Sequence, residues 1–152
     1  MTEDHTEQEV KLTLVDPGVY EELCAQLGSV LDVHSQENLY FDTPSRALHK
    51  AGAMLRVRIV GDRVKVTAKS GATVGDGVMT CREVEVGIPR ELWESRRDTE
   101  LLQWDVAPVA HVRELLHGEE SLVLLGSAQN ERRFFAHDTG VTLEVDRTTL
   151  PG

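Results

Sequence analysis

The chain has 152 residues with 40% hydrophobic content, which suits one domain and excludes disorder as its dominant state. Its 26 acidic and 16 basic residues give a net charge of −10, which argues against general nucleic-acid or anionic-membrane binding. No apolar run approaches the roughly 20 residues needed to span a bilayer, and the acidic start, Met1 to Glu9, is no secretory signal.

Period-two alternation predicts a first strand over Gln8–Val15. Pro17 opens a helix that runs to about Leu27, with Gly28 as its stop. Strands follow over Gln36–Phe41, Ala53–Val60, Arg63–Ser70 and Met79–Gly87. The Gly-rich stretch Ser70–Val78 reads as a hairpin loop, not a domain boundary. Pro89 opens a second helix through Leu92 and Trp93, and Pro108 a third that reaches Leu116 and is closed by Gly118. A broken or bulged strand over Leu122–Ala136 and a last one over Gly140–Arg147 complete the chain. Short links imply antiparallel pairing. The expected class is α+β, a single domain over residues 1–152 built on an antiparallel sheet. Cys24 and Cys81 show no CxxC or metal spacing and read as buried, reduced thiols of a cytoplasmic protein. His34, His49 and His137 read as surface or strand-end residues.

The informative feature is what alternates. Glu7, Glu9 and Lys11 share one parity against Val10, Leu12 and Leu14. Arg56 and Arg58 oppose Leu55, Val57 and Ile59. Lys65, Thr67 and Lys69 oppose Val64, Val66 and Ala68. Glu83 and Glu85 oppose Val84 and Val86; Glu144 and Asp146 oppose Leu143 and Val145. Successive strand side chains lie on opposite faces, so five strands each carry one charged and one apolar face. A half-solvated sheet would show this too. The signs, however, are sorted: bases sit on the two central strands, acids on the first and the later ones. Closing such a sheet would put the charge inside and leave helices on the apolar exterior. Buried charge must pair, bind metal or stay hydrated. Arg and Lys suit phosphate oxygens, and carboxylates at i and i+2 suit Mg2+ or Mn2+. A basic wall facing an acidic one is the electrostatics of phosphoryl transfer. No GxxxxGK[ST] loop and no nucleophile elbow is present.

These residues resemble the CYTH domain, the triphosphate tunnel metalloenzymes, along the whole chain. Glu7, Glu9 and Lys11 form an ExExK signature; residues 40–44 read YFDTP and residues 55–58 LRVR. Lys69 follows Thr67 and Ala68, residues 82–85 read REVE, Arg132 falls in a later strand, and Glu144 and Asp146 flank Val145. The resemblance implies an eight-stranded antiparallel β tunnel and divalent-metal-dependent hydrolysis of a triphosphate, most simply inorganic tripolyphosphate, by water attack on the terminal phosphate. A class IV adenylate cyclase, a thiamine triphosphatase or a polyphosphate-binding module without catalysis are its alternatives. Glu7, Glu9 and Lys11 would form the catalytic set. Glu7, Glu9, Asp146 and Glu85 would ligate Mg2+ or Mn2+. Lys11, Arg56, Arg58, Lys65, Lys69 and Arg132 would grip the triphosphate. The family continues with a further acidic strand past the position of Leu150, so the barrel is expected to be open, with an edge through which a homodimer could form.

Overall fold

The computed structural model describes residues 1–118 and 121–151; the single-domain expectation over 1–152 therefore includes three residues outside the described set. Among the described residues seven strands form one antiparallel sheet: β1 (Thr2–Glu9), β2 (Val30–Asp42), β3 (Met54–Val60), β4 (Arg63–Gly75), β5 (Val78–Pro89), β6 (Val123–Ala136) and β7 (Thr142–Thr149). Their spatial order is β1-β5-β4-β3-β2-β6-β7. The sheet is a half-barrel of seven strands, not a closed tunnel of eight, with β1 and β7 as its edges.

Both faces follow from the alternation. The apolar side of β3, β4 and β5 buries Leu55, Val57, Val64, Val66, Ala68 and Ile88 against Trp93, Trp104, Val109 and Val112. Those partners come from α3 (Arg90–Arg96), the 3-10 turn Leu101–Gln103 with its flank, and α4 (Ala107–Leu116). Each fully buried aliphatic side chain contributes about 1.5–3 kcal/mol. α1 (Tyr20–Gln26) covers the same exterior at the other end, where Tyr20 and Cys24 pack on Phe135. Its Tyr20 ring lies 5.1 and 4.9 Å from the Arg133 and Arg147 guanidiniums. Among the described residues the helices α1, α3 and α4 pack on this apolar side. Both cysteines are free and buried.

Several boundaries differ from the sequence expectation. β2 begins at Val30, six residues before the expected Gln36, because β6 pairs with it along that extension. The first strand is Thr2–Glu9, not Gln8–Val15. β1 pairs with β5 from Thr2 opposite Val86 to Glu9 opposite Met79, and β5 begins one residue beyond, at Val78. Residues past Glu9 have no partner strand, so the apolar alternation of Val10, Leu12 and Leu14 meets nothing to pair with and stays exposed. The Ser70–Val78 loop is largely strand. After a register shift between Ser70 and Thr73, the β4–β5 hairpin runs on to Gly75 opposite Val78. Its two-residue turn is Asp76 (φ 51°) and Gly77 (φ 78°), the left-handed pair that matches strand twist. A short helix, α2 (Ala47–Lys50), lies between β2 and β3, where the sequence predicted no element. Asp42 makes it: Oδ1 accepts from the Thr43 and Leu48 amides at 2.7 and 2.9 Å, and Oδ2 from the His49 amide at 3.1 Å. β7 starts two residues later than expected and ends at Thr149. No helix among the described residues is long and apolar enough to cross a membrane.

Candidate functional site

Register assigns each charged residue a place on the inner face, because residues directly opposite in antiparallel strands share a face. Glu7 lies opposite Cys81. Glu83 and Glu85 lie opposite Lys69 and Thr67. Arg56 lies opposite Thr67 and Tyr40, and Arg58 opposite Lys65 and Asn38. His34 and Asn130 extend the row to Arg132 and Asp146 through β6. One surface thus carries Glu7 and Glu9 at one edge, the bases in the middle, and Glu144 and Asp146 at the other.

The sheet is strongly curled. In strand order β1 and β6 are five spacings apart, about 24 Å if the sheet were flat. Interactions between exposed charges fade beyond about 10 Å. Yet the Glu9 carboxylate contributes to holding the Arg132 guanidinium protonated. Asp146 of β7 likewise reaches Arg58 of β3. The two acidic edges therefore turn toward the basic centre.

Most of the acids are claimed by bases. Lys69 Nζ is ion-paired to Glu7 Oε2 and lies 2.9 Å from Glu83 Oε2. Burial works against the Glu7 carboxylate, but the Lys69 ammonium more than offsets it and holds Glu7 below the usual carboxylate range. Lys65 Nζ and Thr67 Oγ1 donate to the two oxygens of Glu85, at 2.5 and 2.8 Å. Glu85 is lowered in the same way: burial opposes its charge, and Lys65 and Thr67 outweigh it. Arg132 donates bidentately to Asp146, at 2.7 Å to each oxygen, and also pairs with Glu144. Those hydrogen bonds raise Arg132 and, against burial, lower Asp146.

Two guanidiniums are left over. Arg58 donates from Nε to the neutral Asn38 Oδ1 at 2.8 Å and has no carboxylate at ion-pair distance among the described residues. Burial, and then the neighbouring Arg56 and Arg132 charges, push its pKa down from 12.5 to about 10. Arg56 makes no hydrogen bond or ion pair among the described residues, and its Nε is buried without a partner. A buried donor left unpaired costs about 1–3 kcal/mol. Three arginines crowd together, and two of them, Arg56 and Arg58, have no carboxylate at ion-pair distance among the described residues. That arrangement can hold a multiply charged anion.

Arg56, Arg58, Lys65, Lys69 and Arg132 thus share one face with Glu7, Glu9, Glu85 and Asp146. Lys11 lies two residues past the end of β1, is exposed, and is not brought to a partner. A divalent-ion site built from Glu7, Glu9, Glu85 and Asp146 is not formed in this arrangement. Among the described residues no three Asp, Glu, His or Cys side chains converge at metal-holding spacing, and Lys69, Lys65 and Arg132 occupy three of those four carboxylates. Sequence reading passed over Glu83, Glu144 and Asn38 as site residues. Glu83 and Glu144 carried the right parity; Asn38 is neutral, and only the β2–β3 register shows that it faces Arg58.

Among the described residues the chain is thus a curled antiparallel half-barrel, with helices outside and two arginines without an ion-pair partner inside. Residues 5–150 match the CYTH domain, so the chain belongs to that family. The fold is similar to that of a Hippeastrum protein described as a candidate adenylyl cyclase with a dominant triphosphatase activity: TM-score 0.72 and 23% identity, covering 98% of this chain and 73% of that one. A Bacillus halodurans protein described as a candidate adenylate cyclase gives TM-score 0.72 and 20% identity, covering 97% and 73%. The PH1819 protein of Pyrococcus horikoshii gives 0.54 and 17%, covering 96% and 71%. No curated protein matches the chain.

Proposed function

We propose that the chain is an enzyme that hydrolyses a triphosphate, most simply inorganic tripolyphosphate. The observation that carries this reading is the pair of guanidiniums with no carboxylate at ion-pair distance among the described residues, Arg56 and Arg58, beside Arg132. A protein keeps such a pair when a ligand supplies the missing charge. Guanidiniums bind phosphate oxygens bidentately, and a triphosphate chain spreads several negative charges over a length that matches neighbouring strands. Arg56, Arg58 and Arg132 would hold the chain, and Lys65 and Lys69 would join them on leaving their carboxylates. Neutralising the phosphate oxygens favours attack of water on the terminal phosphorus. The dominant triphosphatase activity described for the Hippeastrum protein supports this choice of reaction.

A second reading is favoured by one observation: Glu7, Glu85 and Asp146 are taken by cations and make no metal cluster. On that reading the chain binds polyphosphate and does not turn it over. Phosphate release from tripolyphosphate, with Mg2+ and then Mn2+, decides between them. The enzyme reading predicts release that stops in Glu9→Gln, which removes one charge at nearly constant volume. Release unchanged in Glu9→Gln would remove Glu9 from the mechanism. No release by the parent chain, with tripolyphosphate still raising its melting temperature, would establish the binding module. Cyclic nucleotide formed from ATP in the same assay would assign the chain to the cyclases.

A further inference from the structure

The carboxylates of β1 and β5 do not lie open toward the inner face. Lys69, from β4, places its ammonium between two of them. It is ion-paired to Glu7 and lies 2.9 Å from Glu83. The side chains are largely enclosed, 19% exposed for Lys69, 25% for Glu7 and 11% for Glu83. Register makes the clamp: Glu83 is directly opposite Lys69, and Glu7 reaches in from the next strand, one pair along. Burial works against the charge of this lysine. The two carboxylates outweigh burial and hold it protonated. His5, opposite Glu83 on β1, is 3.9 Å from that carboxylate and is the only further group of an adjoining strand to approach it among the described residues.

A monovalent cation therefore sits on two oxygen donors that would otherwise suit a divalent one. An ammonium and a metal ion cannot share that place: unit charges ~4 Å apart repel by about 4 kcal/mol near a protein surface, and a divalent ion doubles that. The lysine has somewhere to go. Its four-carbon stem is flexible and its ammonium is a point charge that binds phosphate without fixed geometry. Lys69 and the unpartnered Arg56 sit on adjacent strands with facing side chains, one pair apart in register.

We infer that Lys69 is the resident counter-ion of the Glu7–Glu83 pair, and that a divalent cation gains those carboxylates only when Lys69 has turned to a bound anion. This rests on the phosphate reading of the face. Anion and divalent cation then bind with positive coupling, because the anion draws away the charge that excludes the cation. Glu83 is a positioning residue in this scheme: it holds Lys69 in the ligand-free state.

The test is Mn2+ binding to the full chain in phosphate-free buffer, read as loss of the free-Mn2+ paramagnetic resonance signal. The chains compared are the parent, Lys69→Met, Glu83→Gln and the double variant. The parent is expected to bind Mn2+ weakly. Lys69→Met should bind at least tenfold more tightly, and Mn2+ should raise its melting temperature more than the parent's. In the Glu83→Gln background the same replacement should gain less than twofold, since one of the two released donors is gone. An equal gain in both backgrounds would show a plain charge effect and overturn the inference; so would no gain in either. Lys69→Gln serves in the same cycle if the Met variant does not fold. The cycle reads no phosphate release, so a parent chain without triphosphatase activity leaves its outcome intact, and an active parent does not rescue a cycle without coupling.

Discussion

Replacing Arg56 by Met removes a guanidinium that has no hydrogen bond or ion pair among the described residues, although its charge helps to lower Glu7 and Glu85. Its Nε is buried without a partner, and its guanidinium raises the cost of keeping Arg58 charged. Arg58 is depressed from 12.5 to about 10, which corresponds to about 3 kcal/mol in all at neutral pH. Burial is the larger cause and Arg56 the next, so removing Arg56 relieves part of that cost. Removing the unpaired donor adds about 1 kcal/mol, and Met keeps much of the apolar stem in place. Arg56→Met should therefore stabilise the ligand-free chain by about 1 kcal/mol, net of the lost effect of its charge on Glu7 and Glu85, and raise its melting temperature by about 2–4 °C. The same change removes a charge-assisted contact to phosphate worth about 1.5–3 kcal/mol, a loss of about 10- to 100-fold in affinity for tripolyphosphate. Differential scanning calorimetry of the free chain and isothermal titration with tripolyphosphate in EDTA read the two effects separately. Opposite signs are the signature of a residue kept for its ligand. A variant that melts lower and binds tripolyphosphate as tightly as the parent would refute the reasoning.

Asp42→Ala should cost about 3 kcal/mol, because three backbone amides lose their acceptor, and lower the melting temperature by about 6–12 °C while leaving tripolyphosphate affinity within twofold; a larger affinity loss would place Asp42 in the site. His111 is buried, its Nε2 2.8 Å from Ser70 Oγ, and burial pushes its pKa below the usual 6.5. The neutral form is the folded one, so this stability is fully present above about pH 6.5 and is lost as pH falls below it. Denaturant midpoints from pH 7.5 to 5 should decline, and the His111→Gln chain should decline less; parallel curves would remove His111 as the cause. In the presence of tripolyphosphate the Lys69 and Glu83 variants should move Mn2+ affinity less than in its absence, since the anion has already drawn Lys69 away; equal effects would contradict the coupling.

The strands were legible because Arg56 and Arg58 in β3, and Arg63, Lys65 and Lys69 in β4, alternate with apolar residues, and a sheet face must obey that period. The seven observed strands follow the seven expected ones in order and the sheet is open as expected; what differs is where β1 ends, because it pairs only as far as β5 extends. The alternation at Val10, Leu12 and Leu14 was present in sequence but had no partner strand, so pattern without pairing overstated the element and carried Lys11 onto it. The Gly71–Gly77 stretch hid a strand, since its glycines mark a register shift and a two-residue turn as well as they would mark a loop. Arg56, Arg58 and Arg132 could be named from parity and motif. Their unequal circumstances could not: that Arg132 is satisfied by Asp146 while Arg56 is not depends on curl and register between strands far apart in sequence. The clamp on Lys69 was hidden for the same reason, because Glu7 and Lys69 are 62 residues apart.

Titration of the chain with inorganic tripolyphosphate and with orthophosphate, in EDTA at two salt concentrations, tests the account most directly. If Arg56, Arg58 and Arg132 form a triphosphate site, tripolyphosphate binds one to one, at least a hundredfold more tightly than orthophosphate, and the affinity of both falls with salt. Equal and weak binding of the two anions, or binding unaffected by Arg56→Met, would contradict it.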